Sequence, residues 1–381
     1  MITTISIENL GPIPQITAEG LGKVNLIIGP NQSGKTFLLK ALFAGMKTVE
    51  QYKRGKENRT DKGILSDKLY WTFQASELGS IVRKGESSMS FSMVSDKKEE
   101  LTFSFGPSAK KLASIDKNTF SPRNSNTVFI PAKEILSIRD IILEAKDENQ
   151  FGFEEPYSDL AKALSRTQKG KNYDAFSHAR EIVSSMVGGR LEYNEDKKEW
   201  QFRDNDRKVY EVATTSEGVK KLSILDILLG NRYLDNQSVI IIDELEANLH
   251  PSMISQFIDA IFMLADSGIQ FFISSHSYFV IKRLYIQAHR RDISIPVLSF
   301  DKGVCTMSNL KDEMPQNPII DESIALYKDE ISLWYGATAL ENKLIVAYIP
   351  KAETKALRLP DGSVDDAKVQ AWFAAHEDDE Q

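Results

Sequence analysis

The segment Gly29-Pro30-Asn31-Gln32-Ser33-Gly34-Lys35-Thr36 has the residue types and the spacing needed to bind nucleotide phosphates. It fits the pattern G-x-x-x-x-G-K-[S/T], whose glycines let the backbone approach a phosphate closely. Successive N–H groups at a helix N-terminus would cradle phosphate oxygens, Lys35 would neutralise the β- and γ-phosphates, and the Thr36 hydroxyl would ligate Mg²⁺. By chance the pattern occurs in about one chain in a hundred of this length. We therefore predict that this loop binds ATP with Mg²⁺.

Two adjacent carboxylates complete the chemistry that such a loop requires. Asp243 and Glu244 directly follow the apolar run Val239–Ile242, so they should lie at the C-terminal edge of a sheet, where nucleotides bind in folds of this kind. We predict that Asp243 holds Mg²⁺ through water and that Glu244 polarises the attacking water as the general base. Lys35, Asp243 and Glu244 together predict ATP hydrolysis.

The sequence around these motifs alternates short apolar runs with helical segments. Val24–Ile28 has the composition of a strand buried on both faces, and a helix from Phe37 to Phe43 follows the loop. Further strands are predicted at residues 126–132, 238–242, 269–273 and 297–300, and further helices at 220–229, 251–265 and 322–335. This alternation predicts an α/β fold with a mixed or parallel sheet flanked by helices. With the phosphate loop it predicts a P-loop NTPase domain, which we call the head.

Two segments depart from that alternation. Residues 51–124 contain a stretch of alternating apolar and polar residues from Leu69 to Phe105, which includes Met89-Ser90-Phe91-Ser92-Met93, and predict a β-rich insertion. Residues 138–187 are helical by pattern without a sustained heptad repeat, which predicts a helical lobe and no long coiled coil. The predicted organisation is a discontinuous head at 1–50 and 125–335, the insertion at 51–124, the helical lobe at 138–187, and a peripheral segment at 336–381.

Composition narrows the protein class only in part. The chain has 381 residues, 41% hydrophobic and 27% charged, and these proportions are typical of a folded globular protein. A net charge of −7 excludes a protein that is basic overall, so any DNA contact requires a local patch. The single cysteine, Cys305, cannot form an intramolecular disulfide, and the N-terminus lacks a signal-peptide pattern. We expect a cytoplasmic protein that does not bind membranes.

Three further segments carry a family resemblance. The run Asp243-Glu244-Leu245-Glu246-Ala247-Asn248-Leu249-His250-Pro251 resembles the Walker B and D-loop segment of ABC-type ATPases of the SMC, RecF and overcoming-lysogenization-defect group. Upstream, Thr215-Ser216-Glu217-Gly218-Val219-Lys220-Lys221 resembles the signature motif of that class, and downstream Ser274-Ser275-His276-Ser277 resembles its switch-histidine segment. With the phosphate loop, the chain most resembles the stand-alone AAA family ATPases of prokaryotic anti-phage defence systems.

The resemblance implies a composite active site. In this class two heads sandwich two ATP molecules, each bound by the P-loop of one head and the signature motif of the other. Ser216, Glu217 and Gly218 would then reach the γ-phosphate across a homodimer or larger homo-oligomer, and His276 would hydrogen-bond the γ-phosphate and sense its loss. The signature reads Ser-Glu-Gly where many transporters have Ser-Gly-Gly. A Q-loop glutamine is not obvious, and Gln74 and Glu134 are the candidates.

The resemblance also implies what lies outside this chain. Overcoming-lysogenization-defect nucleases carry a C-terminal Toprim domain, but no Toprim or His-Asn-His constellation is found here, so we expect ATPase activity without nuclease activity. The expected partner is a separate effector, Toprim-like, HNH or another toxin, with a DNA or phage component as a further candidate. The alternatives are a RecF-like DNA-repair ATPase and a transporter subunit, which the segment Asn248–Pro251 disfavours. Four basic clusters could contact DNA, but we favour solvated surfaces because none is interleaved with aromatic residues and acids lie nearby: residues 53–62, 110–111, 169–171 and 289–291.

Overall fold

The computed structural model describes residues 1–111, 113–148, 152–166, 174–194, 196–197, 199–335 and Lys368. The chain divides into two compact units, Met1–Ile319 and Ile320–Gln381. The second unit contains most of helix Pro318–Tyr335, the last helix of the described residues. The predicted peripheral segment 336–381 lies outside the described residues apart from Lys368. No helix among the described residues is long and apolar enough to cross a membrane.

A six-stranded sheet forms the centre of the first unit. Five of its strands are β3 (Val24–Ile28), β7 (Thr127–Ile130), β11 (Val239–Ile242), β12 (Gln270–Ser275) and β13 (Pro296–Asp301), all paired in parallel. The sixth, β14 (Val304–Asn309), pairs antiparallel with β13 at one edge, so the order is β14-β13-β3-β12-β11-β7. The predicted α/β fold with a mixed sheet is confirmed, although the sequence did not predict the exposed edge strand β14.

Helices flank this sheet because its parallel strands need crossover connections on their faces. They are α1 (Lys35–Gln51), α7 (Pro251–Asp266) and α8 (Tyr278–Arg291). In α1 most side chains from Leu38 to Glu50 are buried, and Phe43 packs edge-on against Phe129 of β7 with 5.8 Å between ring centroids. The helix that begins at the phosphate loop is therefore fixed in the core.

A second sheet is formed by the N-terminal hairpin together with part of the predicted insertion. Its strands are β1 (Ile2–Leu10), β2 (Ile13–Glu19), β4 (Met89–Ser95), β5 (Glu100–Phe105) and β6 (Ser114–Asn118), in the order β2-β1-β4-β5-β6. Residues 69–73, which the alternating pattern assigned to strands, instead end helix α2 (Asp61–Phe73). The buried positions of α2, which include Ile64, Leu65, Leu69 and Thr72, follow helical spacing.

The helical lobe contains α3 (Arg139–Asp147), α4 (Glu155–Leu164) and α5 (Asp174–Val187). A small antiparallel sheet of β8 (Gly189–Asn194), β9 (Glu199–Asp204) and β10 (Val209–Glu211) follows, and α6 (Glu217–Gly230) then leads back to the central sheet. Short 3₁₀ turns lie at Leu78–Ile81, Leu136–Ile138 and Val212–Thr214.

A buried ion triad connects α2, α3 and α4. Glu155 accepts from Lys68 Nζ at 2.5 Å and from Lys146 Nζ at 2.6 Å. Burial alone would raise the pKa of Glu155, but the two ammonium groups outweigh it and hold the pKa at about 2. The ionised carboxylate is thus much better stabilised in the folded chain than in the unfolded chain.

This triad predicts a specific loss of stability in acid. Because the folded pKa of Glu155 lies below its ordinary value of 4.5, its contribution is complete above about pH 4.5 and disappears as the pH falls towards 2. Glu155→Gln should therefore lower the free energy of unfolding by about 3 kcal/mol at pH 7, with a difference from the native chain that shrinks between pH 4.5 and 2. Chemical denaturation across that range measures this difference.

Glu100→Gln, which removes the exposed pair with Lys117, is the control and should lower the free energy of unfolding by less than about 1 kcal/mol. A pH-independent difference would contradict the assignment.

Candidate active site

Three neighbouring strands of the central sheet end at one edge and bring the predicted motifs together. In the register of the sheet, Ile242 of β11 lies opposite Ile273 of β12, and Ser275 of β12 lies opposite Ile28 of β3. The residues that follow these strands, Gly29 and Asp243, are therefore neighbours of the Ser274–His276 segment. Topology alone thus assembles the phosphate loop, the two carboxylates and the switch-histidine segment.

The phosphate loop depends on two glycines. Gly34, directly before α1, has φ +110°, and a Cβ there would lie 2.6 Å from Ile13 Cγ1. Gly29 has φ +150°, and its Cβ would lie 2.6 Å from the Phe300 carbonyl oxygen. A side chain at either position would be strained and would collide with its neighbours. The loop is therefore packed closely between β1–β2 and β13.

Lys35 holds its ammonium group inside the loop. Its Nζ donates to the carbonyl oxygens of Gly29 at 2.7 Å and Pro30 at 2.9 Å, and the side chain is buried. Burial lowers the pKa of Lys35, while the carboxylates of Asp243, Glu244 and Glu246 act in the opposite direction. The ammonium is thus poorly solvated and faces a cluster of acids, which agrees with the prediction that it binds phosphate.

Thr36 and Asp243 form the candidate metal site. The Thr36 hydroxyl donates to Asp243 Oδ2 at 3.1 Å, and the Ser274 hydroxyl donates to Asp243 Oδ1 at 2.5 Å. Ser274 Oγ also accepts from the backbone N–H of Glu244 at 2.8 Å. Ser274 therefore orients both Asp243 and the start of the following turn, a role that the sequence did not reveal although the segment containing it was noticed.

Glu244, Glu246 and His276 lie together beyond the strand ends. Glu244 has φ +49°, a left-handed conformation that non-glycine residues adopt infrequently. His276 Nδ1 lies 3.3 Å from Glu246 Oε1 and 3.9 Å from Glu244 Oε1, and the His276 N–H donates to Glu246 Oε1 at 2.8 Å. Glu246 thus positions the switch-histidine segment, and sequence reasoning did not assign it that task. The Glu244 and His276 side chains are both partly exposed, so both are open to a ligand.

The predicted signature motif lies at the N-terminus of α6. Ser216 caps the helix by accepting from the Val219 N–H at 3.4 Å, and Glu217 pairs with Lys220 at 3.1 Å. A Cβ on Gly218 would lie 2.7 Å from the Asn248 carbonyl oxygen, so this helix end packs on the segment after Asp243. Among the described residues, the motif makes no recorded hydrogen bond to the phosphate loop of its own chain.

Lys221 joins α6 to the turn that carries Glu244, the predicted general base. Its Nζ donates to the Glu244 carbonyl oxygen at 2.6 Å and lies 3.5 Å from that of Ala247. Burial lowers the pKa of Lys221 to about 8, although Glu246, Asp243 and Glu244 oppose that shift. This hydrogen bond therefore connects α6, which begins at the predicted signature motif, to the turn that contains Glu244.

The side chains of the two Q-loop candidates bond to residues outside the phosphate loop. The Gln74 side chain donates to the Phe153 carbonyl and accepts from the Gly152 N–H at 3.1 Å. Glu134 accepts from the Ser137 N–H at 3.0 Å and lies 3.8 Å from Lys220 Nζ. Neither arrangement identifies a Q-loop residue.

The residues at this edge fit a nucleotide phosphate with a hard divalent cation. The first amides of α1 have no intrahelical partner and offer donors, and Lys35 adds a cation. The buried hydroxyl of Ser33 has no hydrogen-bond partner among the described residues, so it is free to donate to a ligand. Thr36 and Asp243 supply the hydroxyl and carboxylate oxygens that Mg²⁺ prefers.

Comparison with known families agrees with this geometry. Residues 24–282, which include all of these motifs, match the family described as "AAA domain, putative AbiEii toxin, Type IV TA system". The chain belongs to this AAA domain family. The predicted resemblance to AAA family ATPases is thereby confirmed, and the family supports nucleotide binding at the phosphate loop. No curated protein sequence matches the chain.

Solved structures resemble the chain distantly. They include the SMC head bound to the C-winged helix domain of ScpA, with 15% identity, a TM-score of 0.49, and coverage of 81% of this chain and 97% of the other. The SMC head domain from Thermotoga maritima has 13% identity and a TM-score of 0.43, covering 81% and 98%. RecF bound to ATP has 14% identity and a TM-score of 0.42, covering 81% and 99%.

Proposed function

We propose that the protein is an ATP-hydrolysing switch whose two active sites form when two chains associate head to head. The observation that carries the proposal is the convergence of Lys35, Thr36, Asp243, Glu244 and His276 at one edge of the sheet. In bound Mg-ATP, Mg²⁺ would neutralise phosphate charge and would be held by Thr36 directly and by Asp243 through water.

The chain's own residues account for the remaining steps. Lys35 and the first amides of α1 bind the phosphates, and the packing of Phe43 against Phe129 holds the helix in the core. Glu244, partly exposed and held by the Ser274 contact to its N–H, accepts the proton of the attacking water. His276, positioned by Glu246, donates to the γ-phosphate and loses that partner after hydrolysis. These positions give the site a means of reporting its nucleotide state.

A second chain supplies the missing side of each site. Ser216 is exposed and Gly218 is buried at the N-terminus of α6, where backbone N–H groups and the helix dipole favour an anion. Ser216 accepts from the Val219 N–H and Gly218 packs on Asn248, which agrees with a motif that serves the nucleotide of a partner. The Lys221 contact to Glu244 would transmit engagement of the motif to the hydrolytic turn.

We further propose that this switch controls a separate effector, a nuclease or another toxin, in a cytoplasmic anti-phage defence complex. The family description, which names a toxin and a type IV toxin–antitoxin system, supports a setting of this kind.

A DNA-binding repair ATPase is less well supported, because two arginines of the first basic cluster have internal partners. Arg54 bonds to Glu50 and Asn126, and Arg59 bonds to Glu57 and Asp67. DNA cleavage by the purified chain, abolished by Glu244→Gln, would contradict a separate effector.

Mixing two inactive variants tests the composite site. Lys35→Ala disables the phosphate loop, and Ser216→Arg blocks the signature motif with a bulky side chain. A mixed dimer has one site with an intact loop from one chain and an intact motif from the other, so an equal mixture should recover about a quarter of native ATP turnover. Each variant alone should show almost none. A mixture no more active than the two separate variants would overturn the composite site.

A further inference from the structure

A cavity lies between the helical lobe and the β8–β9 hairpin, and none of its lining residues belongs to the phosphate loop. Its volume is about 380 Å³, within the range of small-molecule sites. It borders the last turn of α6, including Gly230, whereas Ser216 caps the other end of that helix. At 1.5 Å per residue, the 14 residues of α6 separate the two ends by about 20 Å. None of the residues that line this cavity belongs to the proposed ATP site.

The charges in the cavity favour an anion. Three arginines line it (Arg139, Arg166 and Arg180), against two acids (Glu192 and Asp226). Both acids already have cationic partners, because Asp226 accepts from Arg180 Nε at 2.8 Å and Glu192 accepts from Arg203 Nε at 3.0 Å.

The two other arginines are less fully neutralised. Arg166 has no recorded carboxylate partner among the described residues and lies over the Tyr233 ring at 5.4 Å. Arg139 pairs with Asp140, whose side chain is largely exposed. A bound anion would therefore meet uncompensated positive charge, which Arg166 supplies most directly.

The same cavity has an aromatic wall. The rings of Tyr193 and Trp200 meet edge to face with 5.4 Å between centroids, and the Arg139 guanidinium lies 5.4 Å from the Tyr193 ring. Trp200 is nearly buried, yet its indole N–H has no hydrogen-bond partner among the described residues. A buried donor without a partner is costly and points to a ligand acceptor. Leu164, Leu191 and Ile227 add apolar surface.

We propose that this cavity binds a phosphate-bearing nucleotide, either free or at the end of a nucleic-acid strand. Aromatic side chains combined with arginine recognise an unstacked base, and arginine also binds phosphate in a fork geometry. The volume accommodates a mononucleotide, and the apolar and aromatic surface suits its base. The phosphate would contact Arg166 and Arg139, and the base would lie against the Tyr193–Trp200 wall.

Calorimetric titration of the full chain tests this site. The probes are the four deoxynucleoside 5′-monophosphates, deoxycytidine, inorganic phosphate, and a 5′-phosphorylated six-nucleotide DNA strand. We expect at least one monophosphate, or the strand, to bind saturably. The affinity for deoxycytidine and for inorganic phosphate should be lower by a factor of roughly ten or more. Binding of the strand but not of free monophosphates would identify a strand end as the ligand, and the reverse would identify a free nucleotide.

Three variants separate this site from the ATP site. Arg166→Gln, at an exposed position, should weaken binding of the probe at least tenfold, whereas Arg207→Gln, on the exposed β9–β10 turn, should leave it unchanged. Lys35→Ala should also leave it unchanged. Loss of the probe in Lys35→Ala would assign the binding to the phosphate loop and overturn the second site without harming the proposed function. Equal affinity in Arg166→Gln and Arg207→Gln, or no saturable binding of any probe, would also overturn it.

Discussion

Lys35→Ala should reduce the affinity of the chain for Mg-ATP by roughly 100-fold, the largest binding defect that we expect from a single substitution. The ammonium is buried within the loop and faces three carboxylates, so its removal leaves the site without its central cation. The negative charge of the phosphates would then be repelled by Asp243, Glu244 and Glu246, with no ammonium group to offset the repulsion. Isothermal titration with Mg-ATP measures the change.

Lys23→Ala is the matched control for this experiment. Lys23 precedes β3, whereas Lys35 follows it. The two lysines therefore lie at opposite ends of this strand. The Lys23 ammonium makes one long contact, 3.5 Å to the Asp266 carbonyl oxygen. Its removal should leave ATP affinity unchanged. Native affinity in Lys35→Ala would show that ATP binds elsewhere.

Glu244→Gln should leave ATP affinity within about threefold of native and lower the turnover rate by about 100- to 1000-fold. The amide preserves the size of the side chain and its hydrogen-bonding reach, but it cannot accept a proton from water. Single-turnover and steady-state measurements with radiolabelled ATP distinguish binding from chemistry. Glu77→Gln, an exposed position away from the site, should hydrolyse ATP at the native rate. Native turnover in Glu244→Gln would show that another group activates the water.

The positions of the motif residues could be predicted because each follows a distinctive run. Val24–Ile28 and Val239–Ile242 are buried on both faces, which few patterns other than central parallel strands produce. The residues after such strands must meet at the carboxyl edge of the sheet. The sequence therefore predicted that Asp243 and Glu244 lie beside the phosphate loop that carries Lys35 and Thr36, whereas their chemical roles stay predictions.

The supporting residues could not be predicted because their roles depend on strand register. Ser274 reaches Asp243 only because β12 lies beside β11, and Glu246 reaches His276 only across the turn after β11. Helix α2 was missed because Leu69–Phe73 alternates in hydropathy, although its buried positions follow helical spacing. The edge strand β14 was missed because Val304 and Met307 are exposed. Its sequence therefore lacks the regular alternation of apolar and polar residues that marks a strand with one buried face.

We propose that ATP brings two heads together around composite sites. The most direct test is light scattering of Glu244→Gln after size-exclusion chromatography, with and without saturating ATP and Mg²⁺. We expect the variant to have the mass of one chain without nucleotide and twice that mass with ATP, and we expect Ser216→Arg in the same background to prevent the doubling. A mass that stays the same with and without ATP, under conditions where titration shows the nucleotide bound, would contradict it.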